Sequence, residues 1–229
     1  MFDSLEAENL YFRRGLLTIF IIMLLGGCQL MENSEAQKPS EMNEEELPDV
    51  QAFEDEFTRD FLQSTEETEE GFYPFLSGTG KYKMDFPAGG LIDDKSYSKR
   101  KNGYEEVHIS IEDNTGFGMD VHYYSHHTKD GLDTFLDNFK GRLGYEGEFE
   151  ELPKGDKTIH YAYEEDDVFR TFAGYILNEE GKGALEVIYN IDCQDEKEKE
   201  CKENEKSDKE RATKWMESVE FLDGSEDAE

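Results

Sequence analysis

Leu185-Glu186-Val187-Ile188-Tyr189-Asn190-Ile191 places Leu185, Val187, Tyr189 and Ile191 at a spacing of two, the pattern of a strand with one face against a core. Two longer strand-like runs lie just upstream, Thr158 to Tyr163 and Val168 to Leu177, joined by Glu164-Glu165-Asp166-Asp167. Glu180-Gly181-Lys182-Gly183 supplies the next turn. The same period recurs in Val107-His108-Ile109-Ser110-Ile111. After the turn Asn114-Thr115-Gly116, Met119, Val121 and Tyr123 point one way and Asp120, His122 and Tyr124 the other. Earlier still, Phe72 to Leu76 leads through Ser77-Gly78-Thr79-Gly80 into Tyr82, Met84 and Phe86, and Pro87 ends the run because it has no N–H to donate.

Helical spacing replaces this alternation in three places. Leu132, Phe135, Leu136, Phe139 and Leu143 predict a helix after the Met119–Tyr123 strand. Ser207-Asp208-Lys209-Glu210 reads as a capping box opening a last helix, whose stripe is Ala212, Trp215, Met216 and Val219; Phe221 and Leu222 complete the core. Phe53, Phe57 and Phe61, with Leu62, predict an amphipathic helix over residues 51–65. Packing on the domain is the plainer use of that stripe, and docking a partner the alternative. The fold class is α+β: a mainly antiparallel sheet with flanking helices in one domain over residues 71–223. A first strand ending Asp85-Phe86-Pro87, the Leu132–Leu143 helix and a closing helix running into Ser218-Val219-Glu220-Phe221 resemble the PsbP/Mog1-type sandwich of small extracytoplasmic lipoproteins. That fold houses binding and assembly proteins and does not by itself assign a function. The run Glu46-Leu47-Pro48-Asp49-Val50-Gln51-Ala52-Phe53, with Gly71-Phe72-Tyr73 and Cys193 and Cys201, is similar to the YvcA lipoproteins of bacilli. The resemblance implies a cell-membrane lipoprotein of a Gram-positive surface with no known active site.

Ahead of the domain stands a different kind of segment. Arg13-Arg14 precedes Leu16 to Leu25, in which Thr18 is the one polar residue, and Leu25-Gly26-Gly27-Cys28 closes the run. The apolar stretch is about half the roughly 20 residues a spanning helix needs. It fits a signal-peptide core, with small residues before a lipid-accepting cysteine. Residues 1–27 are thus expected to be a lipoprotein signal peptide and Cys28 the lipidated residue. Asp3, Glu6 and Glu8 are foreign to a positively charged leader, which suggests that translation starts nearer Leu10. Residues 28–50 read as a disordered acidic tether, with Glu44-Glu45-Glu46 repelling one another, and residues 224–229 as an acidic tail.

Charge narrows the function further. With 56 acids against 24 lysines and arginines the formal net charge is −32. That argues against nucleic acid, whose binding requires cations to neutralise phosphates. It also argues against adsorption from solution to an anionic membrane. Membrane attachment is expected through the lipid on Cys28, where a diacylglyceryl group supplies the two chains a stable anchor needs. Outside the cytoplasm Cys193 and Cys201 are expected to pair, with two free thiols as the rival. The remaining motifs yield no catalytic residue, no metal site and no cofactor. Ser77-Gly78-Thr79-Gly80-Lys81 has Phe75 where a phosphate loop needs glycine and Tyr82 where it needs a hydroxyl on serine or threonine. His122, His126 and His127 could ligate zinc or copper, but neither strand alternation nor helical spacing brings them together. The expected function is a non-enzymatic, membrane-anchored display of an acidic domain for a protein or envelope partner. An enzyme or accessory acting on wall polymers through paired carboxylates is the alternative, and would need two acids in one cleft.

Overall fold

The computed structural model describes residues 37–111, 117–166, 168–194 and 198–222. In chain order these form the short helices α1 (Gln51–Glu54) and α2 (Glu56–Arg59), then strands β1 (Phe72–Leu76), β2 (Tyr82–Pro87), β3 (Gly90–Ile92), β4 (Ser98–Arg100), β5 (Tyr104–Ile111) and β6 (Phe117–Tyr124). Helix α3 (Leu132–Leu143) follows, then β7 (Glu150–Lys154), β8 (Lys157–Glu165), β9 (Phe169–Asn178), β10 (Ala184–Asp192), helix α4 (Glu198–Ser218) and β11 (Glu220–Phe221). Among the described residues, neighbouring strands pair antiparallel in two sheets. The larger runs β3-β5-β6-β10-β9-β8-β7, with β4 also on β5, and the smaller runs β1-β2-β11. The class is α+β, as the alternation predicts.

Pleating sends successive side chains to opposite faces, and both faces of β8, β9 and β10 are covered. On one face Ile159, Tyr161, Phe172, Ile176, Leu185 and Val187 join the main core with the small sheet and α4. On the other, Ala162, Ala173, Tyr175, Leu177 and Ala184 pack under Phe139 of α3. Strands covered twice read as near-continuous apolar runs, which explains Phe172 to Leu177.

Helix α4 bridges the two sheets and is pinned at both ends. Near its start, Cys201 is bonded to Cys193 at the end of β10, and Arg170 of β9, 0% exposed, donates to Cys201 O at 2.6 Å and to Asp208 Oδ2 at 3.0 Å. Glu165 takes the rest of that guanidinium. At the far end Trp215 Nε1 donates to Asp85 O at 2.6 Å, and Ser218 Oγ accepts from Asp85 N at 3.0 Å. The Lys157 ammonium donates to the carbonyls of Glu217 and Val219, placing a cation on the negative end of the helix dipole. Gly174 makes the close approach possible, since a Cβ there would meet Met216 Sδ at 2.6 Å.

Several expectations are corrected. The residues 51–65 helix is two single turns, because Asp55 is extended and its carboxylate instead caps α2 through Thr58 N at 2.7 Å. Its aromatic stripe still faces the domain: Phe53 and Phe61 are buried, and Phe57 and Phe61 pack on Tyr97. Within the expected tether, Pro39–Glu41 and Glu44–Glu46 form 3-10 turns, and Pro39 is buried. Ser207-Asp208-Lys209-Glu210 does not open a helix. It lies inside α4, where Ser207 Oγ donates to Asn204 O, Glu210 pairs with Lys206 and Asp208 is buried against Arg170. Strands β3, β4 and β7 escape the alternation pattern because they are short or polar edge strands. The signal segment, Cys28 and the tail at residues 224–229 lie outside the described residues.

Trp215 is 3% exposed, so Trp215→Ala is expected to cost about 3–5 kcal/mol in urea unfolding. Asp208→Ala leaves Arg170 buried with one carboxylate fewer and is expected to cost about 3–5 kcal/mol, whereas Lys206→Ala, which breaks an exposed pair with Glu210, is expected to change stability by less than about 0.5 kcal/mol.

Candidate functional site

The face of the large sheet that meets α3 carries a continuous row of ionisable groups. Strand register aligns Glu106 with His122, His122 with Glu186, Glu186 with Tyr175, Tyr175 with His160 and His160 with Glu151. These six positions cross β5, β6, β10, β9, β8 and β7 in turn. At the β5 end the row is accessible: Tyr104 OH donates to Glu106 Oε2 at 3.0 Å, and His122 Nε2 sits 3.6 Å from Glu106 Oε1. Arg100 lies over the Tyr104 ring at 5.5 Å. In the middle Glu186, buried, pairs with Arg142 of α3. Burial and the Glu186 carboxylate raise the phenol pKa of Tyr124 well above its ordinary value.

His127 is the most enclosed of the three clustered histidines. Its ring stacks between Tyr124 at 4.5 Å and Phe135 at 3.7 Å, and Nδ1 shares a 2.8 Å hydrogen bond with Tyr175 OH. Burial depresses its pKa to about 4, with His126 and Arg142 adding to the effect. It is a neutral aromatic spacer at ordinary pH. His126 meets Tyr124, His127 and Phe135 edge-on, while His122 lies in the row on β6. His126 and His127 thus share one aromatic cluster, while His122 lies apart between Glu106 and Glu186. Among the described residues no group of three or more His, Cys, Asp or Glu side chains is placed to hold a metal ion.

The opposite face of the sheet has its own buried acid. Glu105, 0% exposed, accepts from Gly78 N at 2.7 Å, Tyr97 OH at 3.0 Å and Thr79 Oγ1 at 3.3 Å. Burial raises its pKa, and these donors oppose the rise. The segment compared with a phosphate loop is thus a hairpin turn whose N–H and hydroxyl clamp a glutamate. Glu105 shares the face of Val107 and Ile109, while Glu186 alternates with Leu185 and Val187, so the two buried carboxylates lie on opposite sides of one sheet. Beyond them, a recess of about 340 Å³ opens between the two sheets and α4, lined by Phe72, Pro87, Ile111, Met119, Tyr189 and Trp215 with Arg211 beside them. Its wall is mostly apolar.

Of the residues singled out by sequence, Cys193 and Cys201 are brought together in a disulfide, and Cys28 lies outside the described residues. Glu105, Arg142, Arg170 and Glu186 carry no sequence motif, and Asp208 stands only inside the supposed capping box. Glu186 had a legible signal: an acid inside a strand whose neighbours, Leu185, Val187 and Ile188, are apolar at both parities must be buried and paired.

The family described as "Putative lipoprotein YvcA" matches residues 48–220. "Putative lipoprotein YvcA" of Bacillus subtilis (strain 168) is 29% identical over 225 residues, covering 88% of this chain and 93% of that protein. A crystal structure from Bacteroides thetaiotaomicron VPI-5482 is similar at 12% identity and a TM-score of 0.38, over 65% of this chain and 48% of that one. This chain spans about half the length of that structure.

The His127 environment sets a pH dependence. A folded pKa of about 4 against 6.5 for the free imidazole means that the unfolded chain binds a proton across that window and the folded chain does not. Stability from this group is therefore present above pH 6.5 and is lost as pH falls toward 4, by up to about 3 kcal/mol. His127→Phe keeps the stack and is expected to flatten the fall between pH 7 and pH 4.5 in urea midpoints, relative to the unsubstituted chain. Equal slopes for the two chains would show that His127 titrates normally.

Proposed function

This chain belongs to the YvcA lipoprotein family, and from that premise we propose that it is a membrane-anchored extracytoplasmic lipoprotein that displays an acidic, non-enzymatic domain for binding or assembly at the cell envelope. The observation that carries the reading is Leu25-Gly26-Gly27-Cys28 behind a short apolar run, in a chain whose family is named for lipoproteins. A diacylated cysteine holds a protein that its own charge would otherwise drive from an anionic surface. Among the described residues no helix is long and apolar enough to cross a membrane.

A binding role is supported by how the charged groups are used. Glu105 and Glu186 are each engaged by internal donors and lie on opposite faces of the sheet, whereas hydrolysis by paired carboxylates needs both in one cleft, about 5–9.5 Å apart. Glu164 and Asp166 do line one recess with Tyr145 and Phe169, but Asp166 Oδ1 is taken by the N–H groups of Val168 and Phe169. The apolar recess beside Trp215 offers a surface of the kind that contacts a partner. The partner is a protein or another envelope component, and the acidic surface disfavours nucleic acid.

Cys28→Ala is expected to move the protein from the membrane fraction to the medium, followed by fractionation and immunoblotting. Retention in the membrane after signal cleavage would overturn the anchor.

A further inference from the structure

About half of the described cations of this acidic chain make ion pairs with its acids. Lys83 pairs with Glu220, Lys129 with Glu179, Lys154 with Glu217 and Lys214 with Glu69. The densest group of the others lies at one edge of the large sheet. Residues 95–103 hold Lys95, Lys99, Arg100 and Lys101 and no acid, and all four cations are exposed. Lys99, Arg100 and Lys101 make no ion pair among the described residues. Lys99 Nζ donates to a carbonyl, Gly78 O, at 2.8 Å, and Arg100 lies over Tyr104. Lys101 adopts a left-handed backbone, φ 52°, in the turn between β4 and β5, a conformation that lysine rarely takes.

The N-terminal segment is fastened to the same edge of the sheet. Strands β3 and β4 both pair with β5. Ile92 N of β3 donates to Thr58 Oγ1 of α2 at 3.0 Å, and Phe57 and Phe61 pack on Tyr97, the residue before β4. The 3-10 turn Pro39–Glu41 rests against α2. Ten residues separate Lys38 from Cys28, a reach of at most about 35 Å. A lipid on Cys28 therefore keeps Lys38, from which this segment runs to the sheet edge, within about that distance of the bilayer.

We propose that the β4 edge, Lys99-Arg100-Lys101 with Lys95 beside it, is the surface this domain turns to the anionic phospholipid headgroups of the membrane that anchors it. The proposal rests on the lipid-anchor reading above. The net charge opposes approach of the domain as a whole, but at physiological ionic strength charges are screened beyond about 8 Å. A tethered domain is therefore oriented by the charges nearest the surface, which here are the four cations with Asp93, Asp94 and Glu106 beside them. Each lysine or arginine near an anionic leaflet strengthens contact roughly fivefold. A bland alternative is that lysines on an edge strand merely block edge-to-edge pairing. Glutamates would serve that purpose equally well, which makes charge reversal decisive.

The test uses the mature lipidated protein in vesicles of phosphatidylcholine, with or without about one-third phosphatidylglycerol, and measures lysine acetylation rates by mass spectrometry. Lys95, Lys99 and Lys101 are expected to react at least threefold more slowly on the phosphatidylglycerol vesicles, with Lys199 and Lys206 unchanged and the difference abolished by 0.5 M NaCl. In the variant K99E/R100E/K101E, with Trp215 emission confirming the fold, Lys95 is expected to lose its protection. Equal rates on both vesicles overturn the proposal. So does protection on both compositions, which points to contact between copies of the chain, and so does a variant that behaves like the unsubstituted protein. A protein that floats with neither vesicle refutes the lipid anchor itself, and the orientation with it.

Discussion

Arg170 has no path to water, and a guanidinium that cannot be hydrated must be met by carboxylates inside the protein. Asp208 and Glu165 meet it, and Cys201 O takes a further N–H. Because Asp208 and Cys201 both belong to α4, this one cation sets where the helix crosses β9. The position of the crossing then determines the rest. Trp215 reaches Asp85, Met216 enters the space left by Gly174, and the chain leaves the helix in line to add β11 to the edge of β2. The first half of α4 is so highly charged that its exposed pairs, Lys199 with Glu203 and Lys206 with Glu210, contribute only a few tenths of a kcal/mol each. The helix holds its place through Arg170 and the Cys193–Cys201 disulfide.

The large sheet acts as a partition. One face builds the main core and buries Glu105 beneath the β1–β2 turn; the other carries the row from Glu106 to Glu151 and is partly roofed by α3. A buried acid on each side is met by donors from a separate element, Gly78 and Thr79 for one and Arg142 for the other. Both acids thus tie the sheet to what covers it. The surfaces left over are an apolar recess and a basic edge.

Strand positions and the α3 stripe were legible because burial on one face imposes a period that a sequence displays directly. Leu132–Leu143 is a helix and Tyr82–Pro87 a strand for that reason. The short edge strands β3 and β4 were illegible, since three residues hold no period and their partners are distant in sequence. The supposed capping box shows the opposite error. Ser207 and Glu210 have the right residue types, but the helix begins at Glu198, so Ser207 Oγ donates back to Asn204 O and Glu210 pairs with Lys206.

By itself the sequence determined the α+β class, the order of the principal strands, the Leu132–Leu143 helix, the second half of α4 and the acidic character of the surface, because all of these follow from side-chain type and local spacing. Only the tertiary structure decided that Glu105 and Glu186 fall on opposite faces, that Arg170 is satisfied by Asp208, and that the N-terminal aromatics lie beside the basic β4 edge. Each of these depends on strand register or helix crossing between segments far apart in the chain, and no local pattern encodes which distant group a buried charge will find.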